Sequence, residues 1–176
     1  MLESKYYKKV YSSPIGDIVL SSAGIDLTGV DFIKNPDEVP EVQEDLPIFQ
    51  ETILWLDLYF SGHIPDFTPK YKIASATPFQ KCVWNILKEI PYGKWISYND
   101  IAKRIAKERG IPKMSAQAVG GAVGKNPIGI IIPCHRVLGK NGELTGYAGG
   151  IENKIELLKI EQFDLQHLQA SKWEKK

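Results

Sequence analysis

Ile128-Gly129-Ile130-Ile131-Ile132-Pro133-Cys134-His135-Arg136-Val137 is the stretch on which the reading of this chain turns. Its first half is a continuous, β-branched run, expected to form a strand covered on both faces. Pro133 holds its own φ at about −65° and biases Ile132 toward extended geometry, which puts stiff backbone beneath the next residue. That residue is a thiol, Cys134, directly followed by a general-base candidate, His135. A thiol reacts as its thiolate, and a neighbouring imidazole or cation raises the thiolate fraction at neutral pH. A lone cysteine in such surroundings is ordinarily a small core residue, so the decision rests on what flanks it. On an extended chain adjacent side chains point to opposite faces, so a direct Cys134–His135 contact is not expected.

At 176 residues the chain has room for one domain or two small ones around a buried core. Apolar residues at 43% and charged residues at 24% are the balance of an ordinary globular protein. No apolar run approaches the roughly 18 residues that span a bilayer. Met1-Leu2-Glu3-Ser4-Lys5 lacks a signal-type apolar segment, which predicts a cytoplasmic protein, or a nuclear one in a eukaryote, without membrane contact. Two cysteines, Cys82 and Cys134, make no disulfide framework and suit a reducing compartment. The net charge of +1 hides an asymmetry: residues 1–75 hold 6 Lys+Arg against 12 Asp+Glu, and residues 76–176 hold 16 against 9. Either the second half faces a polyanion or its basic surface is simply solvated.

The first third reads as antiparallel strands: Tyr6 to Tyr11, a turn at Ser13 to Asp17, Ile18 to Leu20, a turn at Ala23-Gly24, then Leu27 to Ile33. Leu46 to Phe60 carries apolar residues at 46, 49, 53, 56 and 60, a helical stripe. His63 to Ala76, with prolines at 65 and 69, reads as a connector, so the domain boundary is placed near residue 75. Pro78 after Thr77 opens a helix whose face is Phe79, Val83, Ile86 and Ile90, with Cys82 buried on it. Ser97 caps a helix that runs to Arg109, Gly110-Ile111-Pro112 breaks it, and Ser115 caps a second, from Ala116 to Val123, ended by Gly124. Two short helices around a tight break read as a helix-turn-helix. The second is lined with Ala116, Ala118, Gly120, Gly121 and Ala122, too small to read base edges in a major groove. Such a helix either approaches a minor groove closely or packs tightly on its neighbour.

The motifs form an ordered set: Thr77-Pro78-Phe79-Gln80, Val83-Trp84, Ile90-Pro91-Tyr92-Gly93, Ile96-Ser97-Tyr98, Ala118 to Pro127, Pro133 to Val137, and Gly146-Tyr147-Ala148-Gly149-Gly150. Together they resemble the O6-alkylguanine-DNA alkyltransferases (methylated-DNA–protein-cysteine methyltransferases), strongly from about Thr77 to Glu161 and more weakly before. The resemblance implies an α/β (α+β) fold. Residues 1–75 would form a small antiparallel sheet plus helix, ribonuclease H-like. Residues 76–176 would form a mostly helical domain with a winged-helix-like helix-turn-helix and the reactive cysteine. It implies a monomeric DNA repair protein without a cofactor. Such a protein flips O6-alkylguanine, and O4-alkylthymine, out of double-stranded DNA and moves the alkyl group irreversibly to its own cysteine, once per molecule.

Carried over residue by residue, Cys134 is the acceptor, His135 relays the proton through a water, and Glu161 orients His135. Tyr98 presses on the 3′ phosphate and donates its hydroxyl to the base. Asn126 ties the helix-turn-helix to the active-site loop. Tyr147, Ala148 and Gly149 offer backbone N–H groups to guanine O6, while Ala116, Ala118, Gly120 and Gly121 meet the minor groove. Val137 and Arg136 fall in the substrate- and DNA-contacting set, Arg136 either meeting phosphate or supporting the site. Two departures stand out. Gln117 occupies the place of the arginine that fills the gap left by a flipped base, with Lys125 the nearest cation on that side, and Ala148 replaces a serine. Some members bind zinc in the N-terminal domain. Here residues 1–75 offer no cysteine and only His63, so no metal is expected. Two other classes compete: a Cys-His hydrolase or acyltransferase, and a binding protein that regulates or senses damage without repair.

Overall fold

In a computed structural model, residues 5–175 are described; the outermost parts of both expected domains, Met1–Ser4 and Lys176, lie outside them. The chain divides into two compact units, Met1–Ser75 with Pro127–Ile131, and Ala76–Asn126 with Ile132–Lys176. The first unit therefore takes in a segment that the sequence assigned wholly to the second.

The sheet unit has three antiparallel strands in the order β1 (Tyr7–Ser13), β2 (Gly16–Ser22) and β3 (Leu27–Phe32), followed by helix α1 (Pro47–Phe60). Ser13 pairs with Gly16 across Pro14-Ile15, a two-residue turn that Gly16 completes at φ +127°. Ile18, Leu20 and Ser22 are buried on one face of β2, the period of two that a half-buried strand requires. They share a core with Leu27, Val30, Phe49, Leu56 and Tyr59. On α1 the buried residues are Ile48, Phe49, Thr52, Trp55, Leu56 and Tyr59, a stripe rotated from the expected one. Thr52 can face inward because its hydroxyl donates to Ile48 O at 2.7 Å. Trp55 and Tyr59 stack at 5.4 Å.

Two short segments cover the outer edge of β3. Leu27 N–H donates to Lys70 O at 2.9 Å and Lys72 N–H to Leu27 O at 2.8 Å. Further along, Val30 N–H donates to Pro127 O at 2.9 Å and Gly129 N–H to Val30 O at 3.0 Å. Here the structure departs from the expected strand. Only Ile128 bridges Val30, Ile131 N–H turns back to Gly129 O at 2.7 Å, and Ile130 sits at φ +66°. Ile128, Ile130 and Ile132 are all buried as expected, but in a turn. The approach is so close that a Cβ on Gly129 would lie 2.8 Å from Val30 O. A left-handed conformation is rare for a β-branched residue, so these tertiary hydrogen bonds override local preference.

The helical unit begins with α2 (Pro78–Glu89), opened by a capping box in which Thr77 and Gln80 satisfy each other's backbone N–H. Its buried face is Val83, Trp84, Ile86 and Leu87. Cys82 is only half-buried, at the margin of that face and not within it as expected. Trp84 Nε1–H donates to Ala122 O at 2.9 Å, fastening α2 to α4 (Ala116–Gly124). Between them α3 (Tyr98–Arg109) is capped by Ser97 and ended by Gly110 in the left-handed conformation, φ +63°. Ser115 caps α4 through Ala118 N–H. A parallel pair, β4 (Ile96–Ser97) and β5 (Val137–Leu138), links the start of α3 to the residues just after Cys134. Last comes α5 (Ile151–Ile160), after which the tail returns to Trp95, whose indole N–H donates to Leu168 O at 2.6 Å.

Candidate active site

Cys134 to Arg136 form a single 3-10 turn, not the extended chain that was expected, yet the outcome is the same: the thiol and the imidazole diverge. Cys134 lines a cavity of about 310 Å³ together with Tyr98 of α3, Gly120, Val123 and Gly124 of α4, and the Thr145–Ala148 loop. His135 turns the other way and is fully buried, its Nε2 2.6 Å from Glu161 Oε1. Gly120 faces the Tyr98 ring, which lies 3.7 Å from where a Cβ would stand, an ordinary van der Waals contact.

Behind the thiol stands a buried ionic cluster. Glu161, at the C-cap of α5 and 2% exposed, accepts from His135, from Arg136 Nε at 2.8 Å and Nη2 at 2.9 Å, and from Gly93 N–H at 3.1 Å. Gly93 reaches it from a turn at φ +73°. Burial pushes the carboxyl up, but His135 and Arg136 outweigh that and hold it at about 2. Its ionisation does not depend on an imidazolium, since Arg136 supplies two of these bonds. Arg136 is itself fixed by Ile90 O at 2.7 Å and lies over the Tyr92 ring at 5.7 Å, so it is turned inward and lines no part of the cavity. Burial pushes the His135 imidazole below its ordinary value, against the pull of Glu161. Burial likewise pushes the Cys134 thiol up, with an Asn126 hydrogen bond and the Lys154 charge pulling down. Asn126 also donates to Ile132 O at 2.7 Å, which ties the end of the helix-turn-helix to the backbone before the thiol.

Lys154 is the residue that sequence reasoning missed. It is fully buried in α5, and its Nζ donates to Val137 O at 2.6 Å, Thr145 O at 2.8 Å and Gly146 O at 3.3 Å. All three acceptors are neutral carbonyls, so desolvation pushes its pKa down to about 8. The ammonium therefore clamps the cavity loop onto β5 and stands 5.9 Å from the Tyr98 ring. One signal was available: Lys154 falls at an inward position of the Ile151, Ile155, Leu158 spacing. Thr145, which lines the cavity and hydrogen-bonds Tyr98, was missed with it.

The other expected residues are distributed as follows. Tyr147 and Ala148 line the cavity, Gly149 stands just outside it with its carbonyl accepting from Asn153, and Val137 is buried in β5. Gln117, Ala118 and Gly121 are exposed on α4, Ala116 partly so. Among the described residues no group of three or more His, Cys, Asp or Glu could hold a metal ion, and no helix is long and apolar enough to cross a membrane.

Two family descriptions match the chain in order: the ribonuclease-like domain of 6-O-methylguanine DNA methyltransferase over residues 6–70, and its DNA binding domain over residues 78–163. A methylated-DNA–protein-cysteine methyltransferase of Methanosarcina acetivorans is 47% identical over 158 residues, 88% of this chain and 97% of that protein. One from Haemophilus influenzae is 41% identical over 159 residues, 89% of this chain and 86% of that one. The crystal structure of Mycobacterium tuberculosis OGT in complex with DNA is similar at a TM-score of 0.74 and 37% identity, covering 93% of this chain and 98% of that chain. With both halves matched in order and relatives this similar over nearly their whole length, the chain belongs to the methylated-DNA–protein-cysteine methyltransferase family.

Proposed function

We propose that the chain repairs alkylated DNA by moving the alkyl group from guanine O6 to Cys134 Sγ, once per molecule. The observation that supports this reading is the position of Cys134 in a cavity of about 310 Å³, with the His135–Glu161–Arg136 cluster behind it. A base inside a duplex cannot reach that thiol, so the lesion must be extruded first, at an unstacking cost of a few kcal/mol. The small residues of α4 let backbone approach the minor groove without reading sequence, and Tyr98 at the cavity wall bears on the extruded nucleotide. The thiol proton passes toward His135, and Glu161 stabilises the imidazolium that forms. The thiolate attacks the alkyl carbon, the carbon–O6 bond breaks, and the departing guanine takes up a proton. Tyr147 and Ala148 present backbone N–H groups where charge develops on O6. Asn126 and the Lys154 charge favour the thiolate while it lasts. The thioether product has no hydrolytic route back, so each molecule repairs one lesion and stops.

Intact mass after incubation with an O6-methylguanine duplex tests this. The protein should gain one methylene-equivalent, mapped to Cys134, and saturate at one per chain. Cys134→Ala should abolish the gain and leave duplex binding within a few-fold. Turnover beyond one equivalent, or modification at Cys82, would overturn the reading.

A further inference from the structure

Tyr98 opens α3 and lines the cavity at Cys134. Thr145, on the loop that leads to α5, lines the same cavity, and its side chain is hydrogen-bonded to that of Tyr98. The backbone beneath Thr145 is fixed on both sides. Its N–H donates to Glu143 O at 3.1 Å, and its carbonyl accepts from the buried Lys154 Nζ at 2.8 Å. The hydroxyl is therefore presented at a set place, although the residue itself is exposed and fills no core. With Ala148 where a serine was expected, Thr145 carries the one aliphatic hydroxyl among the described residues that line this cavity. Burial pushes the Tyr98 phenol above its ordinary value of 10.0, with the Thr145 bond pulling the other way. The phenol thus keeps its proton at neutral pH and can serve as a donor.

A hydroxyl has a single hydrogen to give and two lone pairs to receive. In the bond that Tyr98 and Thr145 share, only one of them can be the donor. If Tyr98 donates to Thr145, it has nothing left for an extruded base. If Thr145 donates, the Tyr98 hydrogen is released toward the cavity, and an oxygen that already accepts becomes a stronger donor. We propose that Thr145 is a positioning residue, donating its hydroxyl to Tyr98 Oη when a base enters the cavity and so turning the Tyr98 hydrogen onto that base. The proposal rests on the alkyl-transfer reading and places a second hydroxyl behind the first. Thr145 itself acts through Tyr98 and needs no contact with the base. The Lys154 clamp holds the main chain from which it does so.

The test measures methyl uptake from an O6-methylguanine duplex, at subsaturating DNA, by wild type, Thr145→Val, Tyr98→Phe and the double variant. Valine keeps the branched shape and both main-chain bonds and removes only the hydroxyl. Thr145→Val should slow uptake about 3- to 10-fold, the size of one neutral hydrogen bond. In the Tyr98→Phe background the same substitution should change the rate by less than about twofold, because the partner hydroxyl is already gone. Thr145→Ser restores the donor and should return uptake to within about twofold of wild type. Affinity of Thr145→Val for unmodified duplex should match wild type. Equal slowing in both backgrounds, no slowing in either, or failure of serine to rescue overturns the proposal. A second readout needs no transfer. In Cys134→Ala protein, preference for the lesion over unmodified duplex should fall about 3- to 10-fold with Thr145→Val, and not fall further once Tyr98 is phenylalanine. Absence of methyl uptake by wild-type protein would overturn the alkyl-transfer reading, and an unchanged lesion preference would overturn the role of Thr145.

Discussion

The sheet unit and the helical unit bury aliphatic and aromatic side chains alike, but they differ in what polar groups they bury with them. In the sheet unit the buried polar side chains are Ser22 and Thr52, each bonded to a backbone carbonyl four residues away. In the helical unit they are Ser97, Asn126, His135, Lys154 and Glu161. Glu161 and Lys154 are satisfied by partners outside their own helix: Glu161 by residues 93, 135 and 136, Lys154 by residues 137, 145 and 146. Burying an ion costs several kcal/mol even after relaxation, and only a complete set of partners offsets it. A core built for stability alone does not need such groups. Their concentration around one thiol marks where the fold accepts that cost for chemistry.

The hardest test of that contrast is His135→Ala. With the thiol pushed up by burial, little thiolate forms at neutral pH unless the imidazole takes the proton. Loss of a positioned base should slow alkyl transfer by about 10²- to 10⁴-fold. The wild-type rate should hold through neutral pH and fall only below the ordinary histidine value of 6.5, because the His135 pKa is lowered. The variant should need direct thiol ionisation and gain rate only above the ordinary cysteine value of 9.0. Single-turnover rates across pH would show this, and superimposable profiles would remove His135 from the mechanism. Glu161 adds an acid limit to stability. Its folded pKa of about 2 lies below the ordinary 4.5, so its contribution is present above 4.5 and is lost as pH falls toward 2.

Next in size is Lys154→Met, which leaves three carbonyls without their donor and unfastens the cavity loop. Each orphaned group costs about 1–3 kcal/mol, so melting temperature should drop and transfer should slow by about 100-fold. The sign of the pH effect identifies the ammonium. Its folded pKa of about 8 lies below the ordinary 10.5, so between these values the unfolded chain binds more protons and wild-type stability should rise with pH. The variant should lack that rise. Denaturant midpoints at pH 8 and pH 10 compare the two, and equal behaviour would make Lys154 a passive occupant.

Gln117→Arg should have a smaller effect, from chemistry carried without burial. Gln117 is exposed on α4 and brings no charge, whereas arginine stacks in the gap left by a flipped base and meets phosphate. The variant should repair duplex substrate several-fold faster and leave the free-base reaction nearly unchanged, because no unstacking remains to be offset there. Equal acceleration of both would show that residue 117 does not fill the gap.

What was legible in the sequence follows the same division. Local rules located the turn within Ser13 to Asp17, the helix start at Thr77-Pro78, the caps at Ser97 and Ser115, and the helix stop at Gly110, since each depends on residues within one turn. The pair Cys134-His135 drew notice by its own chemistry, whereas Glu161 came from the resemblance alone, because no local pattern encodes its place beside His135. Three features escaped. The isoleucines from 128 to 132 announced burial, but their turn is set by hydrogen bonds to Val30, about 100 residues away in sequence. The α1 stripe was rotated because Thr52, Trp55 and Tyr59 were not counted among its apolar positions. Lys154 was passed over because lysine is ordinarily an outward residue, and the carbonyls that admit it come from a loop and a strand.

The smallest expected effect tests the contrast from its quiet side. Thr52→Val keeps the shape of a buried side chain in α1 and removes one hydroxyl. The hydroxyl's acceptor, Ile48 O, lies within the same helix, and α1 residues such as Ile48 lose only a local partner. Removing one member of a neutral hydrogen bond costs about 1 kcal/mol, partly offset by the greater hydrophobicity of valine. Unfolding stability should therefore shift by about 1 kcal/mol or less, while the rate of methyl uptake per folded molecule should match wild type. The measurement pairs a denaturant curve with single-turnover transfer at equal folded concentration. A slowed transfer at unchanged stability would mean that a buried hydroxyl in the sheet unit contributes to the chemistry. The division between a unit whose buried Ser22 and Thr52 hydroxyls are satisfied locally and one that buries its reactive groups would then fail.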